Sequence, residues 1–178
     1  MKSKKGIKLS STNKKGRNNN DYSNQSESKK IYFGDFFAGI GGFHYAFNNV
    51  IERNFRNKIK PTCVYVSEID KFAKEIYSRN FQFDISKIFN IHEFQENENK
   101  KLDIIFCGFP CQSFSSAGNK KGFEDETRGT LIFKMIEIIK KTKPKIVLLE
   151  NVKHLVNHDN KKTFNKIIEE FKNLNYIT

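Results

Sequence analysis

The sequence predicts an α/β fold, a mostly parallel sheet of Rossmann-like type with helices on both faces. Three observations predict it. Short apolar runs of strand type, at 31–37, 62–67, 102–107 and 145–149, alternate with segments of helical period. The first run breaks into Ala38-Gly39-Ile40-Gly41-Gly42, the strand, glycine turn and helix that open a nucleotide-binding unit. Chemically distinctive residues then follow the carboxyl ends of the runs, where an open α/β sheet binds its ligands.

Taken in order, residues 31–37 read as a strand, and helical character resumes at Phe43. Glycines allow the tight turn between them and let backbone approach a ligand closely. The second run ends in Glu68-Ile69-Asp70, and a helix with Phe72, Ala73, Ile76 and Tyr77 on one face follows. A carboxylate at the tip of a second strand can accept ribose hydroxyls. Glu68 is read in that role rather than as a merely solvated group, and Asp70 as the helix cap. Asp84-Ile85 is expected to end a short third strand, and 96–101 to be a loop. The fourth run is apolar enough to be buried on both faces. It leads into Gly108-Phe109-Pro110-Cys111, the start of a loop of about twenty residues, a length that points to function. Arg128-Gly129-Thr130 opens a helix whose buried stripe is Leu131, Ile132, Met135, Ile136, Ile138 and Ile139. Lys140, Lys141 and Lys143 then suit its carboxyl end. The fifth run delivers Glu150-Asn151-Val152 to the same edge. A last helix shows Phe164, Ile167, Ile168, Phe171 and Leu174 at spacings of three and four, and 175–178 reads as the approach to a sixth strand.

Composition narrows the function. Of 178 residues, the first thirty hold nine Lys/Arg and two Asp/Glu, a net +7 of the chain's +12, with almost no large apolar residue. Residues 1–30 are therefore read as a basic, disordered tail, and 31–178 as one catalytic and cofactor-binding domain. There is no run of 18 apolar residues to span a membrane and no signal core after the basic start. Three cysteines, Cys63, Cys107 and Cys111, do not make a disulfide framework. They also lack zinc-site spacing, so no metal is expected. A cytoplasmic location follows from that cysteine usage.

Three motifs now stand in order: Phe-Ala-Gly-Ile-Gly-Gly-Phe at 37–43, Gly-Phe-Pro-Cys-Gln-Ser-Phe-Ser at 108–115, and Glu-Asn-Val at 150–152. In them the chain resembles the cytosine-C5 DNA methyltransferases of bacterial restriction–modification type. Lys121-Gly122-Phe123-Glu124-Asp125 and Arg128-Gly129-Thr130-Leu131 match that family too. The resemblance implies a methyltransferase fold that binds S-adenosylmethionine, with double-stranded DNA as partner. It implies Cys111 as the nucleophile that adds to cytosine C6 on a flipped-out base, and Glu150 as the catalytic carboxylate. By position, Phe37, Ala38, Gly39, Ile40, Gly41 and Gly42 would line the methionine and adenosine pocket. Glu68 would hold the ribose, Ile69, Asp84 and Ile85 would meet the adenine, and Pro110 and Leu131 would close over the cofactor. Gln112, Ser113 and Ser115 are candidate DNA contacts.

The family's pattern continues with a Gln-x-Arg-x-Arg element and a target-recognition region, yet Gln112 is the last glutamine here and Arg128 the last arginine. The expectation is a fold truncated before its C-terminal strands, working with a complementing chain that carries target recognition. The alternative is a non-catalytic fragment that binds cofactor or such a partner. A nicotinamide dehydrogenase would share the glycine turn and the acidic strand end, but gives no reason for Pro-Cys-Gln with Glu-Asn-Val.

Overall fold

The computed structural model describes residues 28–97, 101–110 and 130–178. Strands β1 (Lys29–Phe36), β2 (Ile59–Ser67), β3 (Ile88–Phe89), β4 (Ile104–Cys107) and β5 (Ile146–Leu149) form one sheet of order β3-β2-β1-β4-β5. Every pairing in it is parallel. Helices α1 (Gly42–Phe55) and α2 (Lys71–Phe81) follow β1 and β2, α3 (Thr130–Thr142) precedes β5, and α4 (His154–Asn157) and α5 (Lys162–Asn173) follow it. The predicted parallel α/β architecture is the one observed. Because β1 lies between β2 and β4, the strand order reverses there, and the crevice at such a switch point is where open α/β sheets bind ligands.

Side-chain alternation along β4 shows why both faces carry helices. Ile104 and Phe106 join Phe33 in a cluster that takes Phe43 and Phe47 from α1, with the Phe43 and Phe106 rings stacked at 5.5 Å. Ile105 and Cys107 point the other way, into the main core with Ile132, Met135, Ile138 and Ile139 of α3 and Ile167 and Phe171 of α5. All four β4 residues are buried, as expected of a strand covered on both sides. The α3 stripe matches its sequence pattern, although Leu131 is only half-buried against that core.

Two expectations are corrected. Asp84 and Ile85 do not end a strand. Asp84 caps a single 3-10 turn, Ile85–Lys87, by accepting from the Ser86 amide, and β3 begins only at Ile88. A short-range aspartate bond of this kind competes with strand pairing. In α2, Phe72 and Ile76 are exposed, and the buried residue is Tyr77. The sheet beneath ends at the two-residue β3, too little surface to cover a wider apolar stripe. Asp70 does cap α2, through the Ala73 amide. Among the described residues no helix is long and apolar enough to cross a membrane.

Candidate active site

One row of residues fixes the site. Phe89, Ser67, Phe36, Cys107 and Leu149 are partners in register across all five strands. The next residue of each strand therefore leaves the sheet at the same edge, with neighbouring strands about 4.8 Å apart. The segments that leave include Phe37 and the glycine turn from β1, Glu68 from β2, Gly108 to Pro110 from β4, and Glu150 from β5. Bonds beyond the strands hold these exits together: Ala38 N donates to Ser67 O at 2.9 Å, Gly108 N to Phe36 O at 3.3 Å, and Glu150 N to Cys107 O at 2.9 Å.

The turn itself has left-handed backbone at Phe37 (φ 56°), Gly39 (φ 54°) and Gly41 (φ 92°). Glu68 braces it. One carboxylate oxygen accepts from Gly39 N at 2.7 Å, and the other from the amides of Ile69 at 2.7 Å and Asp70 at 2.9 Å. A carboxylate has about four acceptor directions, so one remains for an incoming hydroxyl. Gly39 and Gly42 face open space where a Cβ would point, whereas a Cβ on Gly41 would lie 2.1 Å from the Phe81 ring and 3.0 Å from Tyr77. Moving the Phe81 ring away would break its stack on His44, at 3.9 Å. Gly41→Ala is therefore expected to cost roughly 2–4 kcal/mol of stability, from left-handed backbone and overpacking together. Gly39→Ala, strained by its backbone alone, should cost about 1–2 kcal/mol. Urea midpoints of the two variants, compared with the parent, check the difference.

Ile40, Ile69 and Ile85 are exposed apolar side chains, at 58%, 73% and 44% of full accessibility. They stand on the segments that follow β1, β2 and α2. Asp84 is exposed. Its Oδ1 accepts from the Ser86 amide and hydroxyl, and its Oδ2 lies 3.4 Å from Lys87 Nζ. The Ser86 hydrogen bonds hold its carboxyl below the usual aspartate range. Pro110 is half-buried at the exit of β4. Glu150 is exposed at the exit of β5, with Oε2 3.5 Å from where a Cβ on Gly108 would stand. Cys111, Gln112, Ser113 and Ser115 lie outside the described residues.

A glycine turn, a braced carboxylate and a second, exposed carboxylate thus share one edge with the Pro110 exit. Residues 31–178 match the family model for C-5 cytosine-specific DNA methylase. The chain belongs to that family. It is 38% identical over 164 residues to the Type II methyltransferase M.BsuFI of Bacillus subtilis, covering 90% of this chain and 36% of that protein. It is 45% identical over 146 residues to M1.ScrFI of Lactococcus lactis subsp. cremoris (80% and 34%). With M.HhaI of Haemophilus parahaemolyticus the identity is 39% over 150 residues (82% and 41%). The chain therefore spans about a third to two fifths of the length of the curated relatives it matches.

Within this methylase-family chain, two of the three cysteines are poor nucleophiles. Cys107 is fully buried, and desolvation holds its thiol far above the ordinary range. Burial likewise pushes Cys63 up to about 12. A reactive cysteine needs thiolate character and access, and neither has them. Two residues escaped the sequence reading. Asn151 Nδ2 donates to Phe109 O at 2.7 Å, tying the exit of β4 to that of β5. Its signal was the fixed Glu-Asn-Val triplet. Asp35, one residue before the end of β1, is fully buried, and within an apolar run nothing marks an aspartate as buried.

Proposed function

We propose that this chain carries the cofactor and catalytic part of a DNA cytosine-C5 methyltransferase, moving a methyl group from S-adenosylmethionine to C5 of cytosine in duplex DNA. The observation that carries the reading is the common row at the carboxyl edge. From it the turn, Glu68, the Pro110 exit and Glu150 all depart together, in a chain of this family.

The residues present fit the cofactor. The open faces of Gly39 and Gly42 leave room for it, and Glu68 keeps an acceptor direction for a ribose hydroxyl. Phe37 to Gly42 would line the methionine and adenosine pocket. The exposed apolar Ile69 and Ile85, with Asp84, would meet the adenine, and Pro110 and Leu131 would close over it. When bound, S-adenosylmethionine supplies an electrophilic methyl group.

The chain's own residues supply the rest. Cytosine C5 is a poor nucleophile. The Cys111 thiolate would form a bond to C6 and push the ring's electron pair to C5, which then accepts the methyl group. Loss of the C5 proton and elimination of Cys111 restore the ring and the thiolate. A free thiol is only a few per cent ionised at neutral pH but is strongly nucleophilic, and the inertness of Cys63 and Cys107 supports Cys111 in this role. Glu150, next to the β4 exit, would hold N3 and the exocyclic amine and stabilise the activated ring. These atoms are out of reach inside a duplex, so the base must be flipped out. Gln112, Ser113 and Ser115 would meet the DNA around it, and the basic 1–30 tail adds phosphate attraction. A cytoplasmic location suits a reactive thiol.

A second observation favours a complementing segment. Among the described residues β5 pairs with β4 alone, and its α1-side residues Ile146 and Leu148 are 56% and 48% exposed. A groove of about 620 Å³ runs along β5 past Glu150, Val152 and Val156 to Ile177. An open strand edge beside an apolar face is a template for another strand. A polypeptide carrying target recognition would pair there. Until it does, the chain acts as the alternative reading has it, a fragment that binds cofactor without turnover.

The test is cofactor affinity. The 178-residue chain should bind S-adenosylmethionine by calorimetry, and Glu68→Ala should weaken binding by about 10- to 100-fold, the value of one charge-assisted hydrogen-bond set. Undiminished affinity in Glu68→Ala would remove Glu68 from the site.

A further inference from the structure

Beneath the glycine turn lies a buried polar cluster that the reaction above does not use. Asp35 is 0% exposed, and neither of its carboxyl oxygens has a hydrogen-bond partner among the described residues. It stands in register with Val66 of β2 and Phe106 of β4. The polar groups around it come from the neighbouring elements: the His44 amide of α1, the Tyr77 hydroxyl of α2, Cys63 of β2 and the Glu68 carboxylate after β2 on its own face, and Cys107 of β4 on the opposite face of the sheet. The His44 amide and the Tyr77 hydroxyl approach the carboxyl without reaching hydrogen-bonding geometry. No cation stands among these groups.

The cluster is joined to the turn. Tyr77 Oη is 2.8 Å from His44 Nδ1 and 3.7 Å from Cys63 Sγ. The His44 ring stacks on Phe81 at 3.9 Å, and Gly41 rests against both Phe81 and Tyr77. Anything that changes the charge or hydrogen bonding of Asp35 is thus felt one layer above, where the cofactor would lie.

We propose that Asp35 is a positioning residue for the cofactor, carrying a proton in the free protein and releasing it to solvent when the cationic cofactor binds over the glycine turn. This rests on the cofactor reading above. The physical argument has two sides. A buried carboxyl without hydrogen bonds or a cation is cheaper protonated, and the nearby Glu68 charge adds to that preference. Burial pushes Asp35 up to about 7. A sulfonium and an ammonium brought to this edge supply the missing positive charge and favour the carboxylate. His44 is neutral near pH 7, its titration pushed down to about 4 by burial. It can therefore present either tautomer. With Asp35 protonated, Tyr77 donates to His44 Nδ1. With Asp35 ionised, Tyr77 turns to the carboxylate and His44 donates from Nδ1 to the Tyr77 oxygen. The His44–Tyr77 hydrogen bond is kept in both states, and one proton leaves in going from the first to the second.

Isothermal titration of the 178-residue chain with S-adenosylmethionine, in buffers of different ionisation enthalpy, reads the proton count directly. The expected result is release on the order of half a proton near pH 7, fading toward about pH 9, where Asp35 is already ionised in the free protein, and growing below neutrality until the bound form also takes up the proton. S-adenosylhomocysteine lacks the sulfonium charge and should release less. Asp35→Asn should still bind but release none of this proton, and Tyr77→Phe should reduce it. A merely structural Asp35 would leave the count unchanged. Binding with no buffer-dependent heat, or release that persists in Asp35→Asn, would overturn the proposal. Should Asp35→Asn fail to fold, the pH series on the parent chain decides: release that grows on the acid side of neutrality and fades toward about pH 9 supports the proposal, and a flat line defeats it. Failure of the parent to bind the cofactor would defeat the cofactor reading and this inference with it.

Discussion

Cys111→Ser, assayed with a complementing segment present, is expected to lose methyl transfer by on the order of 10⁴-fold or more, while its affinity for S-adenosylmethionine stays within about twofold. The size of the loss follows from the chemistry. Without a bond to C6, the ring has no electron-rich C5 to accept the methyl group. A serine hydroxyl ionises far less readily than a thiol, so it cannot take over at neutral pH. The affinity is spared because the turn and Glu68 belong to the exits of β1 and β2, and their bonds to one another do not involve Cys111. The sheet supplies no substitute thiol, since Cys63 and Cys107 are desolvated and protonated. An active Cys111→Ser enzyme would rule out Cys111 as nucleophile.

The second large effect concerns the open edge. The 178-residue chain alone is expected to show little or no sequence-specific methylation. A separate polypeptide with the target-recognition region should restore it and raise the thermal midpoint. Ile146 and Leu148 are the structural reason. On β4 the same-face residues Ile104 and Phe106 are covered by α1, but one strand further out nothing among the described residues covers the face. Burying the exposed half of each of these two side chains is worth about 1 kcal/mol, and pairing the β5 backbone adds to it. A partner that binds only the folded form stabilises it by mass action. Base-edge contacts carry sequence information and phosphate contacts do not. The basic tail alone would therefore give weak, salt-sensitive binding. Melting curves with and without the partner, beside the same pair for Leu148→Asp, measure the coupling. The substitution should abolish the partner's stabilisation while changing the free chain little, because Leu148 is already half in solvent.

Much of this architecture was legible in the sequence because it depends on patterns that strands and turns enforce. β1, β2, β4 and β5 are apolar runs, and the glycines at 39 and 41 occupy backbone that other residues rarely adopt. From these alone the common carboxyl edge follows, with Glu68 after β2 and Glu150 after β5 both leaving at it. What was not legible depends on tertiary surroundings. The shift of β3 from Asp84-Ile85 to Ile88–Phe89 reflects a local hydrogen bond that an apolar count does not see. Phe72 and Ile76 share a helix face with Tyr77, yet only Tyr77 is buried. The fifth run read as strand, but only its depth of burial, alternating along β5, reveals that one face is open. Asp35 is the sharpest case. A charged letter in a strand ordinarily faces water, and only the packing of α1 and α2 over β1 shows that it does not.

The central claim is that this edge methylates cytosine at C5. The direct measurement is transfer of a labelled methyl group from S-adenosylmethionine to duplex DNA by the chain with its complementing segment, followed by digestion and mass identification of the labelled nucleoside. The account predicts label in 5-methylcytosine alone, lost in Cys111→Ser. Label on an exocyclic amine of cytosine or adenine, or in 5-methylcytosine made equally well by Cys111→Ser, would contradict it.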